Sequence, residues 1–122
     1  MNFQEYQDLA KRTDANLGTL RENLIHMSLG MNTEQAELAD VLKKNLAYGK
    51  EVDYVNLKEE LGDIMWYVAN FCNHLDWKLE DVCQLNIAKL QKRFPNNFTQ
   101  VAANNRDLIA ERELLEKGLG QI

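Results

Sequence analysis

Leu57-Lys58-Glu59-Glu60-Leu61-Gly62-Asp63-Ile64-Met65-Trp66-Tyr67-Val68 is the stretch that decides the fold class. Leu57, Leu61, Ile64 and Val68 recur at three and four residues, and Phe71, Cys72 and Leu75 extend the series. That is the spacing of one face of an α-helix. Inside the same stretch Glu60 and Asp63 stand three apart, so both carboxylates project from one side. A second couplet, Glu34 and Glu37, lies upstream among Leu20, Leu24, Met27, Met31, Leu38 and Leu42, which also keep helical spacing.

Boundary residues frame these two helices. Thr19 and Asp53 are suitable N-caps, and Gly49 is suited to the left-handed conformation that ends a helix. A short turn over Gly49 to Val52 folds the helices antiparallel. Counting back from it puts the couplets within about one turn of the same level. A first short helix is expected from Phe3 to Arg12, and a fourth from Leu79 to Phe94, with Val82, Leu85, Ala88, Leu90 and Phe94 apolar. Pro95, the one proline, stops it. Asn96-Asn97-Phe98 reads as a turn, and the charged segment Asn105 to Lys117 as a helix at the surface or against a partner. The expectation is an all-α single domain over 1–122. It comprises a bundle of about four helices with its core at about 20–98, and a C-terminal helical arm over 99–122. Met65, Trp66 and Ala69 make the third helix apolar beyond its main stripe, so a partner subunit is expected to cover it.

Four carboxylates at one height are tolerable only with cations between them. All-oxygen ligands suit Mg²⁺, with Mn²⁺ as a substitute, rather than zinc or copper. Taken singly, such glutamates belong to a solvated face with local pairs, for example Glu37 or Asp40 with Lys43 or Lys44. The convergence favours a metal site. A di-iron carboxylate site needs Glu-x-x-His, and neither His26 nor His74 follows a glutamate by three. His74 reads as a partly buried helix-end residue. On the fourth helix Asn86, Lys89 and Arg93 share one side. They form either an ordinary solvent face or a row of donors able to hold phosphate oxygens.

Glu34-Gln35-Ala36-Glu37-Leu38, Glu59-Glu60-Leu61-Gly62-Asp63-Ile64, Asn86-Ile87-Ala88-Lys89-Leu90 and Arg93-Phe94-Pro95 together resemble the MazG-like nucleotide pyrophosphohydrolases of the all-α superfamily. The likeness covers roughly residues 20 to 98, and His26-Met27-Ser28-Leu29-Gly30-Met31 fits the stretch that leads into the first couplet. It implies a Mg²⁺-dependent enzyme that cleaves a nucleoside triphosphate between its α and β phosphates, serving to cleanse or balance a nucleotide pool. Glu34, Glu37, Glu60 and Asp63 would be the metal ligands and catalytic centre; Asn86, Lys89 and Arg93 would contact the triphosphate. Tyr67, one turn beyond Asp63, is expected to line the nucleotide pocket. His26 and Arg106 are further candidate nucleotide contacts, and Trp66 points elsewhere, towards a subunit interface. The resemblance also implies a homodimer or homotetramer. Phosphoribosyl-ATP hydrolysis is the nearest alternative activity, and a non-catalytic nucleotide- or partner-binding module is the alternative from another class.

A formal charge of −5 argues against binding a nucleic-acid polymer, which needs a cationic footprint. No apolar run approaches the roughly 18 residues of a membrane span, and the polar start Met1-Asn2-Phe3-Gln4-Glu5 is unlike a signal peptide. No P-loop glycine motif is present, so side chains on helices must hold phosphates. Cys72 and Cys83 lack metal or disulfide spacing, consistent with reduced core residues in a cytoplasmic protein.

Overall fold

The computed structural model describes residues 1–119; the last three residues of the expected C-terminal arm lie outside the described residues. Among the described residues six helices follow one another: α1 (Phe3–Lys11), α2 (Leu20–Tyr48), α3 (Tyr54–His74), α4 (Leu79–Arg93), α5 (Gln100–Asn104) and α6 (Leu108–Leu119). No strand occurs among the described residues. The helices fall into two compact units, Met1–Leu79 and the chain from Glu80 onward.

The first unit is built on the α2–α3 hairpin. Thr19 caps α2 by accepting from the Glu22 N–H, and Asp53 caps α3 by accepting from the Asn56 N–H. Gly49 ends α2 at φ 64°, and its N–H and that of Lys50 return to the carbonyls of Asn45 and Lys44. Close approach of the two helices depends on Gly30, because the Tyr67 ring fills the place of a β-carbon there. Met27 and Ala69 are fully buried. Leu20, Leu42 and Leu61, expected in the apolar stripes, are instead 51%, 45% and 55% exposed. Leu20 and Leu42 sit near the ends of α2. At Leu61, α3 turns Glu60 inward, and the next residue is rotated away by roughly 100°.

A buried amide network ties α1 to α3. Gln7 Nε2 donates to Asn73 Oδ1 and to the Trp77 carbonyl, each at 3.0 Å, while Asn73 Nδ2 donates back to the Gln7 carbonyl. Asn70, fully buried, donates to the Ala10 carbonyl at 3.1 Å, and Gln7 Oε1 accepts from the Leu79 N–H at 2.8 Å. Each amide is satisfied, so burying it carries no large desolvation penalty. Part of the α3 face expected to await a partner subunit is therefore covered from within the chain. Trp66 Nε1 donates to Thr13 Oγ1 at 2.8 Å, and Ala69 is fully buried. His74 is the last residue of α3, half-buried, and pairs through Nε2 with the Asp14 carboxylate.

The second unit joins α4 to the C-terminal helices. A β-carbon on Gly118 would come within 2.3 Å of Leu85, which shows how closely α6 lies on α4. Phe94 and Phe98 pack with ring centroids 5.5 Å apart. Within the expected C-terminal arm, residues 100–104 form α5 with Thr99 as its N-cap.

Candidate active site

Carboxylate oxygens of Glu34 and Glu37 on α2 and of Glu60 on α3 lie within 4.8 Å of one another. The N-caps and the Gly49 turn set the register that brings them together. Glu60 is 6% exposed, Glu34 half-buried and Glu37 exposed, whereas Glu59 points outward. Asp63 stands outside this group and is exposed, yet its charge acts on Glu34, Tyr67 and Tyr6.

Such crowding has an electrostatic consequence. The Glu34 carboxyl is pushed up to about 7, first by burial, then by hydrogen bonding to Glu37 and Glu60 and by the charges of Glu37 and Asp63. Those hydrogen bonds require a proton on one of the carboxyls. When all are ionised no donor is present, and Glu34 Oε2 and Glu60 Oε2 are buried without a partner. Buried unpartnered carboxylate oxygens facing like charges are what a hard divalent cation satisfies. The donor set thus fits Mg²⁺ or Mn²⁺.

Neighbouring groups separate local ion pairs from the site. Lys44 and Lys43 both pair with Asp40, at 2.6 and 3.3 Å, and hold its carboxyl below the usual range; neither pairs with Glu37. Asn56 Nδ2 donates to Glu60 Oε1 at 2.7 Å. A cavity of about 450 Å³ opens beside these groups, lined by Glu37, Asp40, Val41, Lys44, Asn56 and Glu60.

Tyr67 stands edge-on to Trp66 at 4.9 Å and to His26 at 6.1 Å between ring centroids. Its hydroxyl is held protonated above the ordinary range by burial and by the charges of Glu34, Asp63 and Glu37. His26 Nδ1 is buried with no hydrogen-bond partner. Tyr67 is therefore close enough to the carboxylates to feel their field, and His26 meets it edge-on.

The donors expected to meet a triphosphate belong mainly to the second unit. Asn86 is exposed and Lys89 half-buried on α4. Arg93 makes a two-pronged ion pair with Glu111 of α6, Nε to Oε1 at 2.8 Å and Nη2 to Oε2 at 3.0 Å. Arg106 Nη2 reaches the same Oε2 at 2.7 Å. Glu111 is only 4% exposed, and hydrogen bonds from the two guanidinium groups, Arg93 first and then Arg106, hold its carboxyl down at about 2. Sequence reasoning missed Glu111 and Asn56. The i,i+4 spacing of Asn56 and Glu60 was a usable signal; nothing local joins Arg93 to Glu111, 18 residues on.

Residues 23–98 match the MazG nucleotide pyrophosphohydrolase domain, a span that holds both couplets together with Asn86, Lys89 and Arg93. The chain belongs to this family. It is also 38% identical over 92 residues to the Gene 37 protein of Mycobacterium phage L5, covering 70% of this chain and 78% of the relative. No solved structure matches the chain.

Proposed function

We propose that this chain is a Mg²⁺-dependent nucleoside triphosphate pyrophosphohydrolase. It would hydrolyse a nucleoside or deoxynucleoside triphosphate between the α and β phosphates, giving the monophosphate and pyrophosphate. The observation that carries the reading is the meeting of Glu34, Glu37 and Glu60 within 4.8 Å in a member of this family. Two buried carboxylate oxygens without partners supply the reason for a cation.

Glu34, Glu37 and Glu60 would hold the cation, with Asp63 completing the set from the next turn of α3. When bound, Mg²⁺ supplies neutralisation of the polyphosphate, acidification of water and stabilisation of the departing pyrophosphate. Everything else falls to side chains. Asn86 and Lys89 offer an amide and an ammonium to phosphate oxygens. Glu111 occupies two of the nitrogens of Arg93 and leaves Nη1 for a phosphate. The Tyr67 hydroxyl, kept protonated, is a hydrogen-bond donor beside the carboxylates, and His26 meets its ring edge-on.

Leu29, Leu61 and Met65 are 59%, 55% and 39% exposed on α2 and α3, which supports assembly as a homo-oligomer. No helix among the described residues is long and apolar enough to cross a membrane. The role proposed with this chemistry is cleansing or balancing a nucleotide pool in the cytoplasm.

Incubation with standard and modified nucleoside triphosphates and with phosphoribosyl-ATP, with separation of the products, tests the reaction class. Equal amounts of nucleoside monophosphate and pyrophosphate are expected. Release of inorganic phosphate and a diphosphate, or turnover of phosphoribosyl-ATP alone, contradicts the assignment.

A further inference from the structure

Glu60 is the most buried member of the carboxylate group, and its two oxygens have different surroundings. Oε1 accepts a 2.7 Å hydrogen bond from Asn56 Nδ2; Oε2 is buried without a partner. Asn56 lies one turn before Glu60, in the first turn of α3. Its backbone is placed independently of its side chain, because the Asp53 cap takes the Asn56 N–H at 3.1 Å. The amide is thus free of any duty in starting the helix. Its N–H can only donate, so Oε1 is engaged and the carboxylate plane is fixed by the same contact.

We propose that Asn56 is a positioning residue for the metal site. It pins Glu60 through Oε1 so that Oε2 alone faces Glu34 and Glu37, as a single-oxygen ligand for a divalent cation. This rests on the metal-dependent reading above and adds a residue outside both couplets. The physical gain is preorganisation: a glutamate on three rotatable bonds is held in one orientation before the ion arrives. Outer partners of this kind set the orientation of the ligands they touch. A purely structural role is a poor account, since burying Glu60 with one unsatisfied oxygen would be costly unless that oxygen had a use.

The test uses the full-length protein, stripped of metal, with Mn²⁺ alone as probe and free Mn²⁺ followed by electron paramagnetic resonance. Asn56→Ala is expected to weaken Mn²⁺ binding by about 10-fold or more. It should raise the Mg²⁺ concentration for half-maximal pyrophosphate release in proportion, with a smaller loss of kcat at saturating metal. Asn56→Gln should recover part of the affinity, because a glutamine reaches a carboxylate one turn on in this chain, Gln4 to Asp8 at 2.9 Å. The glutamine variant also carries the test if the alanine variant does not fold. Wild-type Mn²⁺ affinity in both variants, or equal losses in both, overturns the role of the amide and leaves the function standing. Absence of Mn²⁺ binding and of metal-dependent turnover in the unaltered protein overturns both.

Discussion

The ring of Tyr67 occupies the space that a β-carbon on Gly30 would need: such an atom would sit 2.1 Å from Tyr67 Cε1. Helix α2 can approach α3 here only because residue 30 has no side chain. Gly30→Ala would gain about 1 kcal/mol of helix propensity. Against that, forcing a ring aside in a packed interior costs about 1–3 kcal/mol. A net loss of about 1–2 kcal/mol is expected in urea denaturation. Shortening the partner in Gly30→Ala/Tyr67→Ala should remove the clash, so the double variant is expected to be more stable than the sum of the single effects.

The amide network between α1 and α3 makes a second prediction. Asn70→Ala removes two buried hydrogen bonds, one to the Ala10 carbonyl, which keeps those from Thr13, and one from the Asn73 amide. A loss of about 1–3 kcal/mol is expected by denaturant titration. The carboxylates are untouched, so Mn²⁺ affinity should stay within about twofold when the two sites are independent.

Glu34 predicts an unusual pH trend. Its carboxyl sits at about 7 in the folded chain, against 4.5 for a free glutamate side chain. Below pH 4.5 both states hold the proton and stability is greatest on this account. Between 4.5 and about 7 the unfolded chain loses the proton and the folded chain keeps it, so stability falls as pH rises. Melting temperature in EDTA should therefore drop from pH 5 to pH 8, and Mg²⁺ should abolish most of the drop. A metal-free protein that gains stability over this range contradicts the account.

Glu111 works in the opposite direction. Its carboxyl is held at about 2 by Arg93 and then Arg106, below the ordinary 4.5. The stability it contributes is complete above 4.5 and is lost as pH falls towards 2. Protection factors of the α6 amides, which correct exchange for its intrinsic dependence on pH, should fall across that acid window. Glu111→Gln should show low protection on α6 at neutral pH and little further loss of protection in acid.

Much of this was legible because the signals were local. Thr19, Asp53 and Gly49 mark the ends of α2 and α3 through contacts within three to five residues. Those ends set the register, so the meeting of Glu34, Glu37 and Glu60 could be counted from the turn. Asp63 shows the limit of counting: it shares a helix side with Glu60, yet it stands outside the close group. The contacts of Gln7, Asn70 and Asn73 were illegible because a buried amide and a solvated one look alike in a helical pattern. Their partners lie 60 to 72 residues away. The Trp66 contact was illegible for the same reason, its partner Thr13 being 53 residues earlier.

Pyrophosphate release measured with Mg²⁺, with EDTA, and with Glu37→Gln and Glu60→Gln, tests the central claim most directly. The unaltered protein should release pyrophosphate with Mg²⁺ and none with EDTA. Each variant should lose at least about 100-fold, within the range of removing an electrostatic contact to the transition state. Turnover that survives EDTA, or full activity in both variants, would contradict the metal-binding role of the carboxylates.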